Sequence, residues 1–487
     1  MAHSIESRLA ALEPLTRPLE PGPEDRADLA RAAVAHAEAF LGWIDSAPGY
    51  VPDAGSDAAL ANAPIGRDPI GLERALELLA DHVDGNGQNT IAPGFFAYIP
   101  LGNVYHGALA DFLAAVSNRF SGRVDASHGS VRIENQVLGW LASVVGYPAT
   151  SAGNLASGGS MANLIAIVTA REAAGIRSRD IERAVVYLTD QVHHCVPKGL
   201  RIVGLGDCVV RRVPMDARFR MDPDALDRAM SDDARVGLRP WLVVGTAGTT
   251  DTGAVDPLDA MADIAARHRA WFHVDGAYGA VFALCAEGRK VLRGMERSDS
   301  LVLDPHKGLF ISLGLGAVLV RDASAMRAAY AFEANYIPQA ALTAEEPSPM
   351  LYSPELSRPF RALRLWLPLQ VVGTGPFEAA IEEKLLLARY AYARLRGIDG
   401  IEVGPEPELS IVIFRPSAAR GDDAGALCDR LGRAIQEDGR ISLSPTTLGG
   451  VRWLRFAVLS LRTHRAAVDA AISIIEEKLA ETRGASV

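Results

Sequence analysis

The sequence predicts an α/β protein, with a mostly parallel sheet and helices that carry the chain back between strands. Three observations predict it. Residues 184–320 repeat a strand-like run, a polar turn and a helical pattern, the alternation that builds βαβ units. The runs 271–274 (WFHV) and 300–303 (SLVL) are short, apolar and cut off abruptly, as strands buried on both faces are. Polar residues gather where these runs stop: Asp275 after the first, and Asp304, His306 and Lys307 after the second. In open α/β sheets ligands lie beyond the carboxyl ends of the strands, so these ends mark the candidate site.

The chain has 487 residues, 49% hydrophobic and 22% charged, enough for two or more domains with a large core. A net charge of −10 argues against nucleic acid or an anionic membrane as the main partner. Cys195, Cys208, Cys285 and Cys428 are widely spaced with no CxxC pair, so they read as free thiols rather than a disulfide framework or zinc site. The opening residues MAHSIESRLAALEPL lack the apolar core of a signal peptide. No apolar run approaches the ~20 residues of a membrane span. The expectation is a soluble cytoplasmic protein.

Residues 1–90 hold two amphipathic helices, 28–44 and 71–82, which need a surface to pack on, either the main domain or a partner subunit. From Ala92 an aromatic loop, FFAYIP, precedes a helix. Phe95 and Phe96 read as core, while Tyr98 is balanced between core and substrate wall. A helix at 134–145 follows. The next helix begins near Ser160, directly after Gly158-Gly159, with no clear strand before it. Glycines admit close backbone approach, and a helix start presents unpaired N–H groups at the positive end of its dipole, so this is a candidate phosphate cup. A plain N-cap, or an imperfect nucleophile elbow on Ser160, are the competing readings.

Strand 184–189 ends near His193, whose flat ring could stack on a heterocycle. The pair His193-His194 has no ligand partner at metal spacing, so no metal site is expected. Strand 241–245 runs into a turn rich in small hydroxyl residues, Thr246 foremost. A strand at 316–320 follows the lysine. Residues 330–358 lack periodicity and carry four prolines, which suggests a functional loop. A helix starting at 361 crosses a junction. The expected division is 1–90 as an N-terminal helical segment, 91–372 as the large domain and 373–487 as a smaller C-terminal α/β domain.

An acid and a lysine on neighbouring strand ends suit pyridoxal phosphate, where lysine forms the Schiff base and a carboxylate keeps the pyridine nitrogen protonated. The ordered set Gly158-Gly159-Ser160, Asp190-Gln191-Val192-His193, Gly248-Thr249-Thr250, His273-Val274-Asp275-Gly276-Ala277-Tyr278, Asp304-Pro305-His306-Lys307 and Leu454-Arg455-Phe456-Ala457 resembles the group II pyridoxal-phosphate-dependent amino-acid decarboxylases. Among these it is most similar to the aromatic-L-amino-acid decarboxylases.

The resemblance spans roughly residues 90–480. It implies the fold type I (aspartate-aminotransferase-like) architecture, with a seven-stranded, mostly parallel sheet in the large domain. It also implies a homodimer with shared active sites. On these positions it implies that Lys307 links to the cofactor, Asp275 pairs with the ring nitrogen, His193 stacks over the ring and Ala277 packs beneath it. Gly158, Gly159 and Ser160 would hold the phosphate, with Thr246 near the ring and His306 lining the site. Tyr98, Ile99 and Pro100 would lie in the substrate loop, and Tyr336 would be the acid that protonates the product carbanion.

Departures include Asp304 where Asn is frequent, Gly308 for a bulky residue, and Thr90, Ile99 and Leu101 at positions where the aromatic enzymes carry other side chains. The implied activity is α-decarboxylation of an aromatic or bulky apolar L-amino acid. Alternatives are an acidic substrate held by Arg119 and Arg123, or an aldehyde synthase or lyase on the same cofactor. A phenylalanine is expected at 336 in the synthase, so Tyr336 argues against that.

Overall fold

The computed structural model describes residues 2–52, 60–63, 65–332, 346–417 and 423–484. Near the N-terminus, β1 (Tyr50–Val51) and β2 (Gly87–Gln88) make a small antiparallel ribbon. The main sheet takes β3 (Ala152–Ala156), β4 (Ala184–Leu188), β5 (Val209–Arg212), β6 (Arg239–Thr246), β7 (Trp271–Asp275), β8 (Ser300–Leu303) and β9 (Gly316–Val320). Their spatial order is β3-β9-β8-β7-β6-β4-β5. Pairing is parallel from β5 to β8, and β9 runs antiparallel to both β8 and β3. The seven-stranded, mostly parallel α/β sheet is the fold expected.

Strands β4, β8 and β9 are buried at every position. Helices cover both faces, so neither face asks for polar residues and the strands read as unbroken apolar runs. The edge strands differ. β3 (AGNLA) and β5 (VVRR) carry no continuous apolar signal, and the sequence reading had no strand at either place. The correction at β3 matters, because this strand leads directly into Gly158.

A second sheet is antiparallel and built from β10 (Ile401–Val403), β11 (Ile411–Pro416), β12 (Ser444–Leu448) and β13 (Val451–Ala457), in the order β10-β11-β13-β12. Helices Gly375–Arg396, Ala424–Asp438 and Arg465–Gly484 accompany it. Asp423 caps the second of these by accepting the N–H groups of Gly425 and Ala426. The helix expected over 361–372 is Leu363–Val372, and Gly373, whose φ is +73°, separates it from Gly375–Arg396, where the sequence reading placed the next helix over 377–395. A left-handed residue stops a helix, and glycine adopts it without a Cβ penalty.

The aromatic loop is docked on this second sheet. Phe95 and Phe96 are fully buried, as the core reading has it. Phe96 donates its N–H to the Ser442 carbonyl at 2.9 Å and accepts from Ala457 N–H at 2.9 Å. Its ring stacks on Phe456 with centroids 4.1 Å apart. Arg455, on β13, donates Nη2 to the Tyr98 carbonyl at 2.9 Å, Nε to Asp251 O at 3.0 Å, and also reaches the Thr250 carbonyl. One buried guanidinium therefore ties together the loop, the turn after β6 and the small sheet.

Candidate active site

The carboxyl ends of β4, β6, β7 and β8 open into a cavity of about 490 Å³. Ser157, Gly158, Gly159, Ser160, Met161, Asn163, His193, Cys195, Thr246, Gly248, Thr250, Asp275, Ala277, Tyr278, Asp304, His306, Lys307, Leu313 and Gly314 line it. All nine residues assigned from the sequence to a cofactor are among them. Tyr98, Ile99 and Pro100 are not. Tyr98 is 54% exposed and held at φ +49°, an uncommon backbone conformation for a non-glycine residue. Ser444 Oγ accepts its N–H at 2.9 Å and Arg455 fixes its carbonyl. Tyr336 lies outside the described residues.

β3 delivers the chain to Gly158, whose φ of +152° suits glycine. The helix Gly159–Ala173 starts at once. A Cβ on Gly159 would lie 2.7 Å from Asp304 Oδ2 and 3.2 Å from the Ala277 Cβ, so only glycine fits. The first helical turn leaves N–H groups without helical acceptors, and these, with the Ser160 hydroxyl, make an anion-binding set.

Lys307 sits in the short helical turn Pro305–Gly308 after β8. Its Nζ is 3.1 Å from Asp304 Oδ2. Asp304 is 1% exposed, and its other oxygen, Oδ1, is buried without a hydrogen-bond partner among the described residues. The sequence flagged Asp304 as a departure but could not show that it pairs with the lysine three residues on.

Asp275 ends β7 and is buried. Its Oδ1 accepts the Ala277 N–H at 3.1 Å, and it stands in register with Thr246 on β6. The Thr246 backbone is held in turn by Asp256, whose Oδ2 accepts its N–H at 2.8 Å. Burial pushes the Asp256 carboxyl up to about 6, against the pull of two backbone N–H donors.

His193 follows β4. Its Nδ1 accepts the Cys195 N–H at 3.3 Å, which leaves the proton of a neutral ring on Nε2. Burial holds its pKa below the ordinary histidine value, against the pull of Asp275. His306 is fixed in the opposite tautomer: its Nδ1 lies 2.6 Å from the Leu315 carbonyl, which can only accept. Burial lowers its pKa as well. The site thus presents two neutral imidazoles, one lysine and two carboxylates.

These residues fit pyridoxal phosphate. The cup that a Cβ would fill presents helix N–H groups suited to an anion, and Lys307 and the buried carboxylate of Asp275 line the same cavity. Sequence reasoning gave no part in the site to Ser157, Met161, Asn163, Cys195, Leu313 and Gly314, which also line it. Cys195 carried a faint signal, since it lies two residues past His193.

The pyridoxal-dependent decarboxylase conserved domain matches residues 77–417. The aromatic-L-amino-acid decarboxylase of Bacillus atrophaeus is 37% identical over 375 residues, 76% of this chain and 78% of that protein. Tryptophan decarboxylase 1 of Oryza sativa is 31% identical over 459 residues, 89% of this chain and 88% of its own. The crystal structure of Oryza sativa TDC with PLP and tryptamine superposes with a TM-score of 0.89 at 29% identity, covering 95% of this chain and 99% of the other. The chain therefore belongs to the pyridoxal-dependent decarboxylases, fold type I carboxy-lyases that act on amino acids with pyridoxal phosphate as cofactor.

Proposed function

We propose that this enzyme converts an aromatic L-amino acid to its amine and CO2. The observation that carries the reading is the cavity's charge inventory. Among the described lining residues Lys307 is the one lysine and there is no arginine, so with Lys307 committed to the cofactor no basic side chain is left over for an acidic substrate. Arg123 is tied to Asp125 by two hydrogen bonds, of 3.0 and 2.8 Å, and Arg119 is exposed. Relatives named as aromatic-amino-acid, tryptophan and tyrosine decarboxylases support the same substrate class.

When bound, the cofactor supplies the electron-accepting ring into which the electrons of the breaking Cα–carboxylate bond flow. The protein's part is positional and electrostatic. Lys307 provides the amine nucleophile, with Asp304 Oδ2 beside it to take up a proton. Asp275 keeps a proton on the nitrogen at its end of the cavity. Neutral His193, anchored through Nδ1, and Ala277 would hold the ring of the cofactor between them. Ser160 and the N–H groups of the Gly158-Gly159 turn would bind its phosphate. Tyr336 would return a proton to Cα, and Tyr98, Ile99 and Pro100, which lie outside the lining of this cavity, would meet the substrate side chain from the loop beside it.

A screen over the standard amino acids and hydroxylated aromatics, with CO2, amine and aldehyde measured together, tests the reading. Tryptophan, tyrosine or a hydroxylated form is expected to give the highest kcat/KM, with amine and CO2 in equal amounts. A preference for glutamate, aspartate or 2,4-diaminobutyrate would overturn the substrate class. A solved 4-hydroxyphenylacetaldehyde synthase of Rhodiola rosea shares the fold at a TM-score of 0.86, so aldehyde in place of amine is the outcome to watch. In the same assay Tyr336→Phe is expected to slow CO2 release and lower the amine yield relative to CO2. An unchanged ratio would remove Tyr336 from the acid's role.

The active unit is a homodimer working in the cytoplasm. The helix Tyr105–Ser117 exposes Leu109, Phe112, Leu113 and Val116, with Phe112 at 60% and Val116 at 70%. The helix Ala2–Thr16 exposes Ile5, Leu9 and Leu15. Apolar faces of this extent support a subunit contact. The cysteines Cys195, Cys208, Cys285 and Cys428 are free and buried, which suits a reducing compartment. Sedimentation at assay concentration is expected to give twice the chain mass; full activity in a monomer would exclude a shared site.

A further inference from the structure

One buried hydrogen-bond chain links both catalytic strands to the phosphate cup, and its direction is determined. Asn163 lies one turn into the helix Gly159–Ala173 and donates Nδ2 to the Gly159 carbonyl at 2.9 Å. A carbonyl only accepts, so the amide nitrogen must face it and Asn163 Oδ1 must face the other way. That oxygen lies 2.8 Å from His273 Nε2, which must then carry the ring proton. Burial pushes His273 down to about 4, despite the nearby Asp275, so the ring is neutral at working pH and its Nδ1 is bare. Ser300 Oγ, 2.9 Å from Nδ1, therefore donates to it. Ser300 Oγ in turn accepts the Trp271 indole N–H at 2.8 Å. Asn163, His273 and Ser300 are each at most 1% exposed, so water does not compete for these bonds.

The chain starts at Trp271 on β7, crosses to Ser300 on β8, the strand that leads to Lys307, returns to β7 at His273, two residues before Asp275, and ends on the peptide that joins Gly159 to Ser160. In a helical peptide the carbonyl and the next N–H point in opposite directions along the axis. Holding the Gly159 carbonyl toward the helix body aims the Ser160 N–H into the cup. The first turn of a helix frays most easily, and Gly158-Gly159 adds freedom there. We propose that Asn163, His273 and Ser300 are positioning residues for the cofactor phosphate, acting through this one-way chain to fix the cup relative to the strands that carry Asp275 and Lys307. The inference rests on the reading that the Gly158–Ser160 turn binds phosphate.

The test titrates apoenzyme with pyridoxal phosphate and with unphosphorylated pyridoxal, reading the visible absorbance and circular dichroism of the bound cofactor. Wild type is expected to prefer the phosphorylated form strongly. His273→Phe, which removes both ring bonds, is expected to raise the dissociation constant for pyridoxal phosphate about tenfold, the size of one to two lost hydrogen bonds. Its affinity for pyridoxal should stay within about twofold, since the ring end of the site is untouched. His273→Gln keeps a donor toward Asn163 and is expected to recover most of the loss. Asn163→Leu should match His273→Phe, and the double variant should be no worse than either alone. It also carries the test if His273→Phe does not fold. Equal losses for both ligands, or no loss for either, would overturn the positioning role. A wild-type enzyme with no preference for the phosphorylated form would instead overturn the cup itself.

Discussion

Lys307→Ala is expected to reduce CO2 release to background while pyridoxal phosphate still binds through the cup, now as a freely dialysable ligand. In the proposed reading the lysine is the nucleophile that joins enzyme and cofactor, and no other lysine lines the cavity among the described residues. Borohydride should fix the cofactor to wild type on the peptide carrying Lys307, and leave the variant unlabelled. The substitution has a second consequence. Asp304 Oδ2 loses its partner at 3.1 Å while Oδ1 already has none, so a buried carboxylate is left uncompensated. Such a group costs about 1–3 kcal/mol, and the apoenzyme should melt at a lower temperature. Adding Asp304→Asn to Lys307→Ala should recover that loss without recovering turnover. Turnover near wild type in Lys307→Ala would remove the lysine from the mechanism.

Asp275→Asn is expected to keep the fold and most of the cofactor affinity but to lower kcat/KM by at least about 3 kcal/mol of transition-state stabilisation, the scale of one preorganised electrostatic group. The fold survives because the amide oxygen can still accept the Ala277 N–H that Asp275 Oδ1 takes at 3.1 Å. Catalysis fails because a neutral amide cannot hold a proton on the ring nitrogen. Asp275 is 4% exposed, so solvent cannot substitute for the missing charge. The measurement is steady-state kinetics at saturating cofactor, with the cofactor dissociation constant determined alongside. Normal decarboxylation at full cofactor occupancy would mean that another residue pairs with that nitrogen.

By itself the sequence determined the fold class, nine residues that line one cavity and, through the order of its motifs, the family. These are local properties. Strands β4, β7 and β8 are buried on both faces, so their apolar runs and abrupt ends are written in consecutive residues. The Gly158-Gly159-Ser160 turn and the Asp304–Lys307 stretch are equally local, and their side chains converge because strand ends in a parallel sheet must lie together.

Only the tertiary structure decided what depends on partners distant in the chain. β3, β5, β10 and β12 carry no continuous apolar run, and each draws its place from pairing with a neighbour rather than from its own composition. The left-handed backbone at Tyr98 depends on Arg455 and Ser444, more than three hundred residues away in sequence. The tautomers of His193 and His306 follow from the atoms packed against their rings. Asn163 and His273 meet across 110 positions. Hydrogen bonds of this kind leave no periodic trace, because nothing in a residue's neighbours along the chain records what will be packed against it in space.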